Sequence, residues 1–197
     1  MYKAVIFDFF GVFCPDITLS WFQKTIPDYE AKFPEFQAIC TRSDYGTLPK
    51  ADFYKEVSAL VGVSVDVMEK GVEAETIINT SLVSFVRGLR KNGYRTACLS
   101  NGTHEWTLAV INNHGLAHLF DEVILSGDLG IVKPSPEIYM HALEKIHMSA
   151  SDAVFVDNRK ANVIVRRPIC NVNCQCGYFR CWLKLIGFVY GHTYKLR

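Results

Sequence analysis

The apolar run Tyr2-Lys3-Ala4-Val5-Ile6-Phe7 stops on an aspartate, Asp8, and three more polar signatures follow it: Leu99-Ser100-Asn101-Gly102-Thr103, Lys133-Pro134 and Phe155-Val156-Asp157-Asn158. This arrangement constrains the fold more than any other feature of the chain. The runs are short and rich in Val, Ile, Phe and Leu, as expected of strands buried on both faces of a parallel sheet. Each polar residue falls where a strand would end. In open α/β sheets ligands bind beyond the carboxyl ends of the strands, so Asp8, Ser100 and Asp157 are expected to converge although they lie far apart in sequence.

The rest of the chain supplies the helices that such a sheet needs. Helix Glu105 to His114, strand Glu122 to Ser126, helix Pro136 to His147 and strand Ala153 to Val156 alternate in βαβ fashion, which predicts an α/β fold with a doubly wound parallel sheet. Leu82 to Asn92 reads as an amphipathic helix capped by Gly93, and the strand Tyr94 to Leu99 follows it. From about Pro15 to Ser84 there is no β pattern, which predicts a helical insertion. Within it Phe53, Val57, Leu60 and Val61 recur at helical spacing between Pro49 and Gly62, and Met68, Val72, Ile77 and Ile78 suggest a second helix. The expected organisation is a core of residues 1–14 and 85–163, a helical insertion of 15–84 and a tail of 164–197.

A chain of 197 residues, 49% hydrophobic and with a formal net charge of +1, can bury one α/β core plus a small insertion. The near-neutral charge and the lack of a basic stripe argue against a nucleic-acid partner and favour a small substrate. No secretory leader is recognisable, and no apolar run reaches the roughly 18 to 20 residues that span a bilayer. A cytoplasmic location without membrane attachment is the expectation. Cys14, Cys40 and Cys98 fall in segments that read as ordinary core or helix, so a disulfide framework is not expected.

The polar set suits phosphoryl transfer. Asp8 is the candidate nucleophile, because a carboxylate can attack phosphorus to give an aspartyl-phosphate that water later hydrolyses. Two anions must then meet, and Mg²⁺ is the cation suited to oxygen ligands and phosphate oxygens, with Asp157 as its second carboxylate. Lys133 can neutralise both nucleophile and phosphoryl group. Ser100 and the amides of Asn101 and Gly102 can donate hydrogen bonds to phosphate oxygens.

With these residues in place, the chain resembles the haloacid dehalogenase-like hydrolase superfamily, in the subfamily with a helical cap after the first motif and a Rossmann-like core. Phe7-Asp8-Phe9-Phe10-Gly11-Val12 resembles the first motif, Leu99-Ser100-Asn101 the second, Lys133-Pro134 the third and Val156-Asp157-Asn158 the fourth. Pro136-Glu137-Ile138-Tyr139 and the stretch Arg42 to Lys55 are similar to the sugar-phosphate phosphatases. The resemblance implies a Mg²⁺-dependent hydrolase of a small phosphorylated metabolite, with Asp8 and Lys133 catalytic, Ser100, Asn101 and Gly102 on the substrate, and Asp8, the Phe10 carbonyl, Asp157 and Asn158 on the metal.

The chain departs from that pattern at three places. Phe10 stands where most phosphatases of the family have a second Asp that protonates the leaving group, a loss typically worth about 10²–10⁴-fold. Asn158 stands where a further Asp is common, which implies weaker Mg²⁺ binding. From Ile164 to Arg197 there is no Asp or Glu, and Cys170, Cys174, Cys176 and Cys181 crowd together among basic residues. Cys-x₃-Cys-x-Cys-x₄-Cys lacks the paired knuckles of structural zinc sites, and a basic membrane or nucleic-acid surface rests only on a charge run. The reading adopted is that this tail is not native family sequence, as from an altered reading frame or alternative end. Two alternatives follow from the departures: a metal-independent 2-haloacid dehalogenase, and a catalytically impaired member that keeps the pocket for binding. In the cap, Arg42, Asp44 and Tyr45 are candidate leaving-group contacts, against the plainer reading of a solvated helix face.

Overall fold

The computed structural model describes residues 2–163 and the backbone of residues 173–175. The cysteine-rich segment and the proposed break in family sequence at 164–197 otherwise lie outside the described residues.

The sheet has five parallel strands, β1 (Ala4–Phe7), β2 (Arg95–Ser100), β3 (Glu122–Leu125), β4 (Ala153–Asp157) and β5 (Asn173–Gln175), in the order β3-β2-β1-β4-β5. β1 is central, so its residues are walled on both sides. Phe7 pairs with Cys98 of β2 and with Val156 of β4, and one further step along the chain brings Asp8 level with Leu99 and Asp157. The Asp8 N–H donates to the Val156 carbonyl at 2.8 Å, which extends the ladder to the aspartate.

Side chains alternate across the sheet with the two-residue period of a strand. Ala4, Ile6, Ala97, Leu99, Ala153 and Phe155 face one layer, where Ile138, Tyr139, Ala142 and Leu143 of α8 (Pro136–Lys145) cover them. Val5, Phe7, Cys98, Val154 and Val156 face the other, covered by Leu82, Val83, Val86 and Leu89 of a helix over Thr80–Lys91 and by Ile111 of another over Ala109–Asn113. Both faces of every central strand are buried, which is why the strands read as continuous apolar runs.

Four helices lie between β1 and Thr80: α1 (Ile17–Thr25), α2 (Tyr29–Asp44), α3 (Lys50–Val61) and α4 (Val65–Ala74). The helices after them are α5 (Thr80–Lys91), α6 (Ala109–Asn113), α7 (Ser126–Leu129), α8, already placed, and α9 (Lys160–Val163). Side-chain caps start several of these helices: Asp16 accepts from the Leu19 N–H, Ser64 from Val67 and Asn79 from Leu82. α3 begins after Pro49 and ends at Gly62, whose left-handed φ of 79° fits the expected stop. α1 and α2 meet through Phe22 and Phe36, stacked with centroids 4.1 Å apart. Their apolar residues belong to the same continuous core as Phe7 and Val156. Among the described residues no helix is long and apolar enough to cross a membrane.

Two local expectations are corrected. Ile77 and Ile78 lie beyond α4, because Glu75, held by Ser20 and Lys24 of α1, follows its last turn and Asn79 already caps α5. The helix expected over Glu105 to His114 opens as a π-helical turn, His104–Leu108, before α6. The wider turn accompanies the packing of Trp106 against Phe53 and Tyr54 of α3, with centroids 5.4 and 5.1 Å away.

Gly71 inside α4 has a packing reason. A β-carbon there would lie 2.1 Å from Trp21 Nε1 of α1, so only glycine allows the two helices to approach this closely. Alanine would favour an open helix site by about 1 kcal/mol. Here Gly71→Ala is expected to lower the melting temperature in a thermal scan, and an increase would contradict this packing.

Candidate active site

Three buried charged groups that meet in one cluster come from three separate junctions. Lys133, in the loop between α7 and α8, reaches under the strand ends and places its ammonium 2.7 Å from Asp8 Oδ1, 2.9 Å from Asp157 Oδ2 and 2.9 Å from the Leu99 carbonyl. Its three donors are thereby used. Asp8 and Lys133 are 6% and 4% exposed, and Asp157 is fully buried. An isolated charge at that depth would be strongly disfavoured, so the three groups depend on one another.

Further hydrogen bonds fix each member. Asp8 Oδ1 also accepts from the Phe9 N–H at 2.7 Å. Asp157 accepts from the Arg159 N–H at 2.7 Å and from the Asn162 amide at 2.9 Å. The Asn101 side chain grips the backbone of Lys133 from both sides, accepting from its N–H at 2.8 Å and donating to its carbonyl at 3.3 Å. The Asn101 side chain therefore positions Lys133, a role beyond the expected donation of its main-chain amide to phosphate. The Gly102 N–H donates to Ser126 Oγ at 2.9 Å, so in this arrangement that expected phosphate donor is engaged. Ser100 is fully buried, its hydroxyl 3.3 Å from the Asn101 carbonyl, and it lines the cavity.

The electrostatics follow from burial and pairing. Burial pushes the Asp8 carboxyl up to about 7, with Lys133 pulling against it and Asp157 adding to the rise. Burial also opposes the charge of Asp157, but Lys133 and the donors from Arg159 and Asn162 outweigh it and hold that carboxyl below the usual range. Lys133 is held above the ordinary lysine range because the two carboxylates overcome its desolvation. Asp157 and Lys133 are therefore held charged, and ionisation of Asp8 leaves the centre net negative.

That excess negative charge, and an unsatisfied oxygen beside it, suit a divalent cation. Among the described residues Asn158 Oδ1 is buried without a hydrogen-bond partner. The Asn158 amide packs directly on the loop after Phe10, where a β-carbon at Gly11 (φ 83°) would lie 2.2 Å from Asn158 Nδ2. Asp8, Asp157, Asn158 and the Phe10 carbonyl are the groups that would hold Mg²⁺, all through oxygen. Among the described residues no group of three or more His, Cys, Asp and Glu gathers into a metal site, so this set would rest on two carboxylates completed by amide and main-chain oxygens.

In front of Asp8 and Lys133 lies a cavity of about 170 Å³. Strand ends contribute Asp8, Ser100 and Asn101, α1 and α2 contribute Ile17, Phe36 and Asp44, and Arg159 closes one side. Phe10 also lines it, so the first-motif loop presents a ring where an acid was expected from the family pattern. Of the candidate leaving-group contacts only Asp44 lines the cavity. Arg42 is paired with Glu56, and Tyr45 is exposed. Sequence reasoning did not single out Arg159, which pairs with Asp16 at 3.1 Å, or Ser126, whose hydroxyl donates to the Asp44 carbonyl. Neither belongs to a run or periodic pattern that would have marked it.

Removing Lys133 would leave two buried carboxylates without their cation. Breaking a buried pair in this way typically costs about 3–5 kcal/mol. Lys133→Met is accordingly expected to lose about that much stability in urea denaturation at neutral pH, and a variant as stable as the parent would contradict the charge-coupled centre.

Comparison with known proteins is consistent with this geometry. A D-ribitol-5-phosphate phosphatase of Bacteroides thetaiotaomicron is 26% identical over 185 residues, covering 86% of this chain and 89% of the relative. A haloacetate dehalogenase of a Moraxella species is 30% identical over 105 residues, covering 53% of this chain and 44% of the relative. Several of the curated relatives are longer, and this chain spans less than half their length. Among solved structures, a HAD family enzyme of Bacteroides thetaiotaomicron in complex with magnesium and inorganic phosphate superposes with a TM-score of 0.73 at 20% identity, over 93% of this chain and 99% of that one. This likeness establishes the shared fold. The haloacid dehalogenase-like hydrolase family matches residues 2–164, and the chain belongs to it.

Proposed function

We propose that this hydrolase is a Mg²⁺-dependent phosphatase of a small phosphorylated metabolite, working through an aspartyl-phosphate on Asp8. The observation that carries the reading is the buried Asp8–Lys133–Asp157 centre beside an orphaned Asn158 oxygen, at the base of a cavity sized for a small ligand.

In this reading the Asp8 carboxylate attacks phosphorus, with Lys133 favouring its charged form against the burial that opposes it. As charge moves onto the phosphoryl oxygens, the same ammonium and the Ser100 hydroxyl stabilise it. Mg²⁺, held by Asp8, the Phe10 carbonyl, Asp157 and Asn158, would supply the positive charge that lets a carboxylate and a phosphate approach. The helices α1 to α4 serve as a cap that shields the reaction from bulk water and selects the leaving group. Water then attacks the phosphorus of the aspartyl-phosphate and restores Asp8. Support for a phosphatase comes from the ribitol-phosphate phosphatase relative and from the oxygen-only donor set.

The dehalogenase reading has two supports of its own, Phe10 in place of an acid and the haloacetate dehalogenase relative. It gives no metal for the buried carboxylate of Asp157 and the unpartnered lone pairs of Asn158 Oδ1 to hold.

The test is release of para-nitrophenolate from para-nitrophenyl phosphate with Mg²⁺ and with EDTA, in the wild type and in Asp8→Asn. Turnover that needs Mg²⁺ and falls by about 10³-fold or more in the variant is expected, since the nucleophile is lost. Halide release from a haloacetate in EDTA, with no phosphate ester hydrolysis, would replace this reading by the dehalogenase. Neither activity in folded protein would leave the impaired, binding-only member.

A further inference from the structure

The reaction proposed above needs a proton at the leaving oxygen, and the usual supplier in the first-motif loop is replaced by Phe10. Three carboxyl groups line the cavity: Asp8, Asp16 and Asp44. Asp8 is bound to Lys133 and to the Phe9 N–H. Asp16 is also committed, with Oδ1 capping α1 at Leu19 and Oδ2 paired with Arg159. Asp44 is left, and among the described residues its carboxyl makes no hydrogen bond or ion pair.

The backbone of Asp44 is nevertheless held firmly. Its carbonyl accepts from the Ser126 hydroxyl, and Ser126 in turn accepts from the Gly102 N–H, two residues after Ser100. The chain turns immediately afterwards at Gly46 (φ 73°), where a β-carbon would lie 2.2 Å from the Gly127 carbonyl. The end of α2 is thus docked onto the second-motif loop and α7, and its last side chain is delivered to the cavity opposite the strand ends.

We propose that Asp44 is the proton donor to the leaving group and, in the second half of the reaction, the base that activates water. This rests on the phosphatase reading of the site. In the first step Asp8 Oδ forms a bond to phosphorus, the bond from phosphorus to the leaving oxygen breaks, and the Asp44 proton goes to that oxygen, releasing the alcohol. In the second, water adds to phosphorus as its proton passes to Asp44, the bond to Asp8 breaks and inorganic phosphate leaves. Both carboxyls return to their starting states. The surroundings favour a protonated Asp44 near neutrality: burial raises its carboxyl to about 6, Asp16 adds to the rise, and Arg159 and Lys133 oppose it. A general acid works best with a pKa near the working pH.

The test compares kcat/KM for para-nitrophenyl phosphate, whose leaving group departs without a proton, and for phenyl phosphate, whose leaving group benefits from one, in Asp44→Asn and wild type with Mg²⁺. Each variant is judged by its own ratio of the two substrates, which cancels any loss of folded protein. The expected result is a change of about fivefold or less on para-nitrophenyl phosphate and a loss of about 10²-fold or more on phenyl phosphate. An unchanged ratio would overturn the proposal and leave the phosphatase reading standing, as would wild-type enzyme active only on para-nitrophenyl phosphate. A wild type inactive on both esters would overturn the two together. Neither ester carries a sugar hydroxyl, so a role for Asp44 confined to binding one predicts the unchanged ratio.

Discussion

The ammonium of Lys133 is the interaction on which the rest of this structure depends. It is buried, it spends all its donors on Asp8, Asp157 and the Leu99 carbonyl, and it ties the ends of β1, β2 and β4 to the loop before α8. Two carboxylates at neighbouring positions of adjacent parallel strands would repel each other at that depth. With Lys133 between them the repulsion becomes a bridge, and the residual negative charge is what a divalent cation is suited to meet. Asn101 and Asn162 complete the arrangement by orienting Lys133 and Asp157, so that neither charge has to find its partner anew in each conformation.

The helices α1 to α4 follow from the same logic at lower charge. They share the apolar core beneath Phe7 and Val156, and the close contacts at Gly71 with Trp21 and at Gly46 with Gly127 set how near they can approach one another and the sheet. The polar ties run to the cavity side, from Asp44 through Ser126 to Gly102 and from Asp16 to Arg159.

Much of this was legible in the sequence because the strands are buried on both faces. Continuous apolar runs ending in Asp8, Ser100 and Asp157 marked strand ends, and parallel pairing then forced those ends together. Lys133 could be read as well, through its place before Pro134. The fold class rested on the alternation of strand runs with helical segments, and the ends of α3 and α5 on Gly62 and Gly93, whose left-handed conformation the sequence advertises. What could not be read were contacts between residues remote in sequence with no periodic mark: the Asn101 clamp on Lys133, the Ser126 bridge to Asp44, and Arg159 at the cavity mouth. The spans of α1 and α2 were also obscure, since Pro34 inside α2 and the mixed polarity of its sequence hide a helix that tertiary packing stabilises. Ile77 and Ile78 misled for the converse reason, because apolar spacing continued after the backbone had already been claimed by the Asn79 cap.

The central claim is that Asp8 itself takes the phosphoryl group. Mixing excess enzyme with a phosphate ester and Mg²⁺, quenching in acid within a single turnover and measuring the mass of the peptide that contains Asp8 tests it most directly. The account predicts an acid-stable, hydroxylamine-labile phosphoryl adduct on that peptide. Ester cleavage within the same turnover with no adduct at any quench time, or with the phosphoryl group on another residue, would contradict it.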